Sequence, residues 1–188
     1  MAARHTLPAL CLAGLLSSTS AHAGDYGKLD VFVGAAYRHS LSLDAGGFAL
    51  TAGLGGYVGL FGVEYQIELS NDHSFKHVEE RLASRTTNWF NVVLRGRLGD
   101  RVDLGLAVGP GMGFVKNAGK AYEVGGRFPS QGVHEELRLG FNVSDSDNVA
   151  LGLRVRVGAE HMWQYAIVQG PEHAITGGIE FYLGPTTD

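Results

Sequence analysis

Residues 102–114 read VDLGLAVGPGMGF. Val102, Leu104, Leu106, Val108, Pro110, Met112 and Phe114 occupy the even positions, and Asp103, Gly105, Ala107, Gly109, Gly111 and Gly113 the odd ones. A period of two puts successive side chains on opposite faces of a β-strand, and no helix separates residues in this way. A strand on an ordinary core is polar on its second face, because that face meets water. Here the second face is almost without side chains, which points to a crowded interior.

Seven further segments follow the same rule. Lys28 to Arg38 sets Leu29, Val31, Val33, Ala35 and Tyr37 against Lys28, Asp30, Phe32, Gly34, Ala36 and Arg38. Gly47 to Leu54 sets Phe48, Leu50, Ala52 and Leu54 against Ala49, Thr51 and Gly53, and Leu60 to Leu69 sets Phe61, Val63, Tyr65, Ile67 and Leu69 against Gly62, Glu64, Gln66 and Glu68. In Asn88 to Leu98 the apolar face is Phe90, Val92, Leu94 and Leu98, opposite Trp89, Asn91, Arg95 and Arg97. Val133 to Val143 places Val133, Leu137, Leu139, Phe141 and Val143 opposite His134, Glu136, Arg138, Gly140 and Asn142. Val149 to Glu160 alternates Val149, Leu151, Leu153, Val155, Val157 and Ala159 with Gly152, Arg154, Arg156, Gly158 and Glu160. Last, Ala174 to Leu183 alternates Ile175, Ile179, Phe181 and Leu183 with Thr176, Gly178, Glu180 and Tyr182.

The connections alternate in length. Gly55 to Gly59, Gly99 to Arg101 and Ser144 to Asn148 read as short turns, whereas His39 to Gly46, Ser70 to Thr87, Lys116 to Gly132 and His161 to His173 read as longer polar stretches. Strands of about ten residues with short turns at one end and long loops at the other are the pattern of membrane-spanning barrels. No later segment has the run of about 20 apolar residues that a spanning helix needs, so a membrane can be crossed only by a closed sheet.

The remaining composition bounds the chain's roles. With 188 residues it is long enough for one domain. Residues 1–23 read as a cleaved secretory signal: Arg4 and His5 begin it, Leu7 to Leu16 form a short apolar stretch, and Ala21-His22-Ala23 has the small-x-small form of a cleavage site. The barrel domain is then 24–188. The single cysteine, Cys11, lies inside the signal, so the mature chain has no thiol for a disulfide or metal site, and Pro8-Ala9-Leu10 before it is no lipidation motif. The net charge of −4, without a Lys/Arg run, gives no footprint for nucleic acid.

The chain resembles the small eight-stranded bacterial outer-membrane β-barrels of the OmpA/OmpX/OmpW-like class across the whole mature length. The resemblance implies an all-β fold, a closed antiparallel up-and-down transmembrane barrel. It also implies a bacterial outer-membrane location, lipid and lipopolysaccharide as surroundings, and the barrel-assembly machinery as a partner during insertion. Thr176, Gly178, Phe181 and Leu183 resemble the signal that this machinery reads in a final strand, although Gly184 to Asp188 follow where the common form ends on an aromatic.

The narrow lumen of an eight-stranded barrel holds little besides side chains. Its charged lining is Lys28, Arg38, Arg95, Arg97, Arg138, Arg154 and Arg156 against Asp30, Glu64, Glu68, Asp103, Glu136, Glu160 and Glu180. The signs balance, so the groups are expected to interlock, because an unpaired charge there is costly. Pairing Leu98 with Val102 across the short turn sets Arg97 opposite Asp103, and Pro110 is expected at a local bulge or irregularity.

Other motifs are weaker. His73 and His77, with Glu79 and Glu80, have helical i, i+4 spacing but no zincin glutamate, and read as solvated loop histidines, so no metal or cofactor is expected. Lipid A deacylases on such barrels carry a His-x-Ser-Asn signature; His39-Ser40-Leu41-Ser42 and Asp72-His73-Ser74 lack it, and no catalytic residue is assigned. The leading expectation is a non-catalytic outer-membrane protein that anchors surface loops for envelope integrity or for an unknown surface ligand. The alternatives are a lipid A acyl hydrolase and a narrow passive channel.

Overall fold

The computed structural model describes residues 28–42, 45–74, 81–98, 101–117, 127–145, 150–164 and 171–184. The expected signal lies outside them. Eight strands follow in order: β1 (Lys28–Ser40), β2 (Ala45–Val58), β3 (Phe61–Ser74), β4 (Arg81–Leu98), β5 (Val102–Asn117), β6 (Arg127–Asp145), β7 (Ala150–Gln164) and β8 (Glu172–Gly184). Each pairs antiparallel with its sequence neighbour, and β8 pairs with β1 to close the barrel. Followed once round from Leu29 through Gly56, Val63, Val92, Val108, Glu135, Ala159 and Ile175, the register returns to β1 at His39. That stagger tilts the strands, as closure requires.

The apolar faces point outward. Leu29, Phe48, Leu50, Val63, Val92, Leu137, Val157 and Phe181 are all exposed, whereas Arg38, Glu68, Glu160 and Glu180 are buried. This reverses the usual partition of a water-soluble protein. Tyr37 meets Phe48 edge-on at 5.6 Å near one rim, and Tyr65 lies 5.2 Å from Phe90 nearer mid-strand.

The glycines of the inner face have a specific cause. Four inward aromatics among the described residues lie directly opposite a glycine on a neighbouring strand: Phe32 opposite Gly53, Tyr57 opposite Gly62, Trp89 opposite Gly111 and Tyr182 opposite Gly152. A Cβ on Gly111 would stand 2.1 Å from the Trp89 ring, and one on Gly152 would stand 2.0 Å from that of Tyr182. The rings fill the narrow bore by lying flat over positions without side chains. Gly59, in the β2–β3 turn, has φ +58° and so suits glycine for backbone reasons.

The expected strand ends change. The strands at the long-connection end run past the apolar segments, so that Ser70–Ser74 and Arg81–Thr87 belong to β3 and β4. The outward positions there become Asn71, His73, Ser84 and Thr86, which end the hydrophobic alternation without ending the ladder. Pro110 sits at an irregularity without a register shift: β4–β5 pairing lapses between Trp89↔Gly111 and Val92↔Val108 and resumes in the same register. Proline withholds one amide and the ladder skips it. Register shifts occur between Asp72/His73, Gln131/Gly132 and Asn142/Ser144.

Gly111→Ala should destabilise the barrel by about 1–3 kcal/mol through overpacking against Trp89. Gly56→Ala, where an added Cβ meets nothing within 4 Å, should be close to neutral. Denaturant unfolding of both variants in detergent checks this, and equal losses would contradict it.

Candidate functional site

Period-two alternation carries charge into the lumen from every strand except β2, whose described inward positions include Ala49, Thr51, Gly53 and Tyr57. At the long-connection end, Arg38 on β1 crosses the bore. Its Nε donates to Glu160 at 2.9 Å, Nη1 to Asp72 at 3.1 Å and Nη2 to Glu172 at 2.7 Å. Arg85 on β4 donates to the same Oε2 of Glu160 at 2.6 Å and to its Oε1 at 3.2 Å, to Glu68, and to Ser70 Oγ at 3.3 Å. Glu160 therefore joins two guanidinium groups from strands on different sides of the barrel.

In the middle, Glu136 bridges Arg138 at 3.3 Å and Arg156 at 2.9 Å. Arg138 also donates to Glu64, and Glu180 lies 3.4 Å from both Arg154 and Arg156. His134 stacks on Trp89 with centroids 4.2 Å apart, while its Nε2 meets Asn91 Oδ1 at 2.6 Å. Toward the short-turn end, Arg95 clamps Asp30 and Asp103, each at 2.8 Å, and its guanidinium lies over the Tyr57 ring. Tyr57 donates its hydroxyl to Glu64, and Tyr182 donates its own to Asn142 at 2.6 Å.

Fully buried charges are tolerated only when paired and hydrogen-bonded, and the fork of arginine suits bridging between carboxylates. The result is a lattice that ties non-adjacent strands together across the bore. Polar groups outside it remain: Thr51 Oγ1, both amide atoms of Gln66, Thr87 Oγ1 and Trp89 Nε1 are buried with no protein partner among the described residues. Internal water is the usual partner of such groups.

Of the charged positions expected from sequence, Asp30, Arg38, Glu64, Glu68, Arg95, Asp103, Glu136, Arg138, Arg154, Arg156, Glu160 and Glu180 stand in these contacts. The side chains of Lys28 and Arg97 lie outside the described residues, although Arg97 and Asp103 are Cα partners. Arg85, Asp72 and Glu172 are additional members. Their signal was present, since counting by twos from Trp89, Glu68 and Thr176 reaches all three. In the final strand, Thr176 is buried inward while Phe181 and Leu183 point outward.

Within the adjacent His–Ser motifs, neighbouring residues fall on alternating faces. Ser40 is buried inward while His39 lies on the opposite face, and Asp72 turns in to Arg38 while His73 faces away. His77 lies outside the described residues.

No family model and no curated protein sequence matches the chain. Its fold is shared with solved structures. The structure of Neisserial surface protein A is similar with a TM-score of 0.54 and 11% identity, over 86% of this chain and 97% of that one. The fold is that of a small eight-stranded outer-membrane β-barrel. OprG from Pseudomonas aeruginosa aligns with a TM-score of 0.47 and 10% identity, covering 85% of this chain and 95% of that one. Ail, the attachment invasion locus protein of Yersinia pestis, aligns with a TM-score of 0.40 and 13% identity, covering 83% and 97%.

A double-mutant cycle at Arg38 and Glu172 reads the lattice directly. Arg38→Met strands buried carboxylates and should cost about 3–5 kcal/mol. Arg38→Met with Glu172→Gln should cost clearly less than the sum of the two single changes. Additive losses in denaturant unfolding would show that the two groups are not coupled.

Proposed function

We propose that this chain is a non-catalytic integral protein of the bacterial outer membrane, exported through a signal in residues 1–23 that is then removed. Its rigid barrel holds the segments at one rim for envelope integrity or surface interaction. The observation that carries this reading is the reversed partition of the barrel: all eight strands turn apolar side chains outward, and a lattice of paired charges fills the inside. A bilayer satisfies such an outer face, and closure satisfies the backbone. Lipid and lipopolysaccharide are then the outward partners, and the assembly machinery reads the final strand through Thr176, Gly178, Phe181 and Leu183.

The lattice argues against the narrow-channel reading, because Arg38, Arg85, Arg138 and Arg156 reach across the bore instead of lining it. It leaves the rim as the place for recognition. Rigid scaffolds commonly display variable connections for this purpose, and here segments 75–80 and 118–126 join strands at the same end.

Expressed in a Gram-negative host, the protein should fractionate with outer membranes, require detergent, and migrate faster on gels when unheated. Protease added to intact cells should cut at Lys76 or Lys120. A soluble monodisperse protein without detergent overturns the reading, and cutting at the exposed Arg101 of the short turn overturns the orientation.

A further inference from the structure

Polar side chains interrupt the outer face on neighbouring strands. Glu135 on β6, His161 on β7 and His173 on β8 all point outward, with side-chain exposures of 62% for Glu135 and 43% for His161. His161 and His173 are direct cross-strand partners. Their rings meet edge-on with centroids 5.1 Å apart, and the two Nδ1 atoms face each other at 2.8 Å. Glu135 Oε1 lies 3.8 Å from the other nitrogen of His161, Nε2.

We propose that the His161–His173 pair is a site for a divalent transition-metal ion of tetragonal preference, copper(II) or nickel(II). Two imidazoles at directly opposed positions of neighbouring strands lie close enough to share one ion, and a small turn of the rings directs both Nδ1 lone pairs at it. With two nitrogens from the protein and oxygen from solvent the donor set is N,O, and tetragonal N,O coordination is characteristic of copper(II) and nickel(II). Among divalent first-row ions, copper(II) binds such ligands most tightly.

Glu135 completes the logic. A carboxylate beside Nε2 favours a proton on that nitrogen and leaves Nδ1 free for metal, the outer-shell arrangement common to metal-binding histidines. A small side-chain adjustment closes the present 3.8 Å to hydrogen-bond length. Among the described residues no three His, Cys, Asp or Glu side chains converge as a ligand set, so the protein supplies two nitrogens and solvent oxygen the other positions. Without metal, the 2.8 Å contact is an N–H···N hydrogen bond that holds one proton between the rings.

The test is a copper(II) titration of the purified full chain in detergent, followed by electron paramagnetic resonance. The expected result is one tetragonal copper(II) signal per chain with superhyperfine coupling to two imidazole nitrogens. His161→Ala and His173→Ala should each lose the two-nitrogen signal, and Glu135→Gln should weaken binding by about tenfold. The gel heat shift confirms that each variant is folded, and His161→Gln and His173→Gln replace an alanine variant that is not. Copper(II) bound equally by wild type and the folded double variant, or a wild-type signal with a single nitrogen coupling, overturns the proposal and leaves the pair as a hydrogen bond.

Discussion

Closing eight strands leaves a bore that side chains must fill, and here arginine–carboxylate contact does most of the filling. Glu160 shows the dependence. It accepts from Arg38 on β1 and Arg85 on β4, so one carboxylate on β7 ties three strands together across the lumen. Removing either guanidinium leaves negative charge where water has little access, and the cost of that exceeds what the pair contributes over an apolar filling. The lattice therefore sets the position of each strand through penalties for misplacement. The aromatic rings over glycines complete the filling, with the Arg95 guanidinium over Tyr57 and that of Arg154 over Phe32.

The outer surface follows from the same closure. With the charged groups gathered inside and the backbone paired along the ladder, the outward faces are free to be apolar, and Leu29, Val63, Leu137 and Phe181 occupy them. Departures from that pattern then stand out as candidates for function. Glu135, His161 and His173 are such departures, and the sheet brings them together from three neighbouring strands.

Strand existence, order and facing were legible because the period of two runs through every segment, and the inward charges came with it. Strand ends were not legible. Beyond Leu69 and before Asn88 the outward residues turn polar on leaving the apolar zone, and an alternation of polar with polar does not mark where a strand ends, so Asp72 and Arg85, though in phase with the inward set, lay inside apparent loops. Which charges meet was also beyond the sequence. The short turn announced Arg97 and Asp103 as Cα partners, but not the 2.8 Å contact that Arg95 makes with Asp103, and Arg38 to Glu160 crosses the bore with no ladder pairing to announce it. The His161–His173 contact needed the β7–β8 register, since a long connection separates the two in sequence. Glu135 was visible only as a break in an otherwise apolar face.

The most direct test of a lumen closed by its own charges is single-channel recording on the purified barrel in a planar bilayer. The account predicts no sustained open-channel current for the wild-type protein across a wide voltage range. A steady ohmic conductance through folded, correctly inserted wild-type barrels would contradict it.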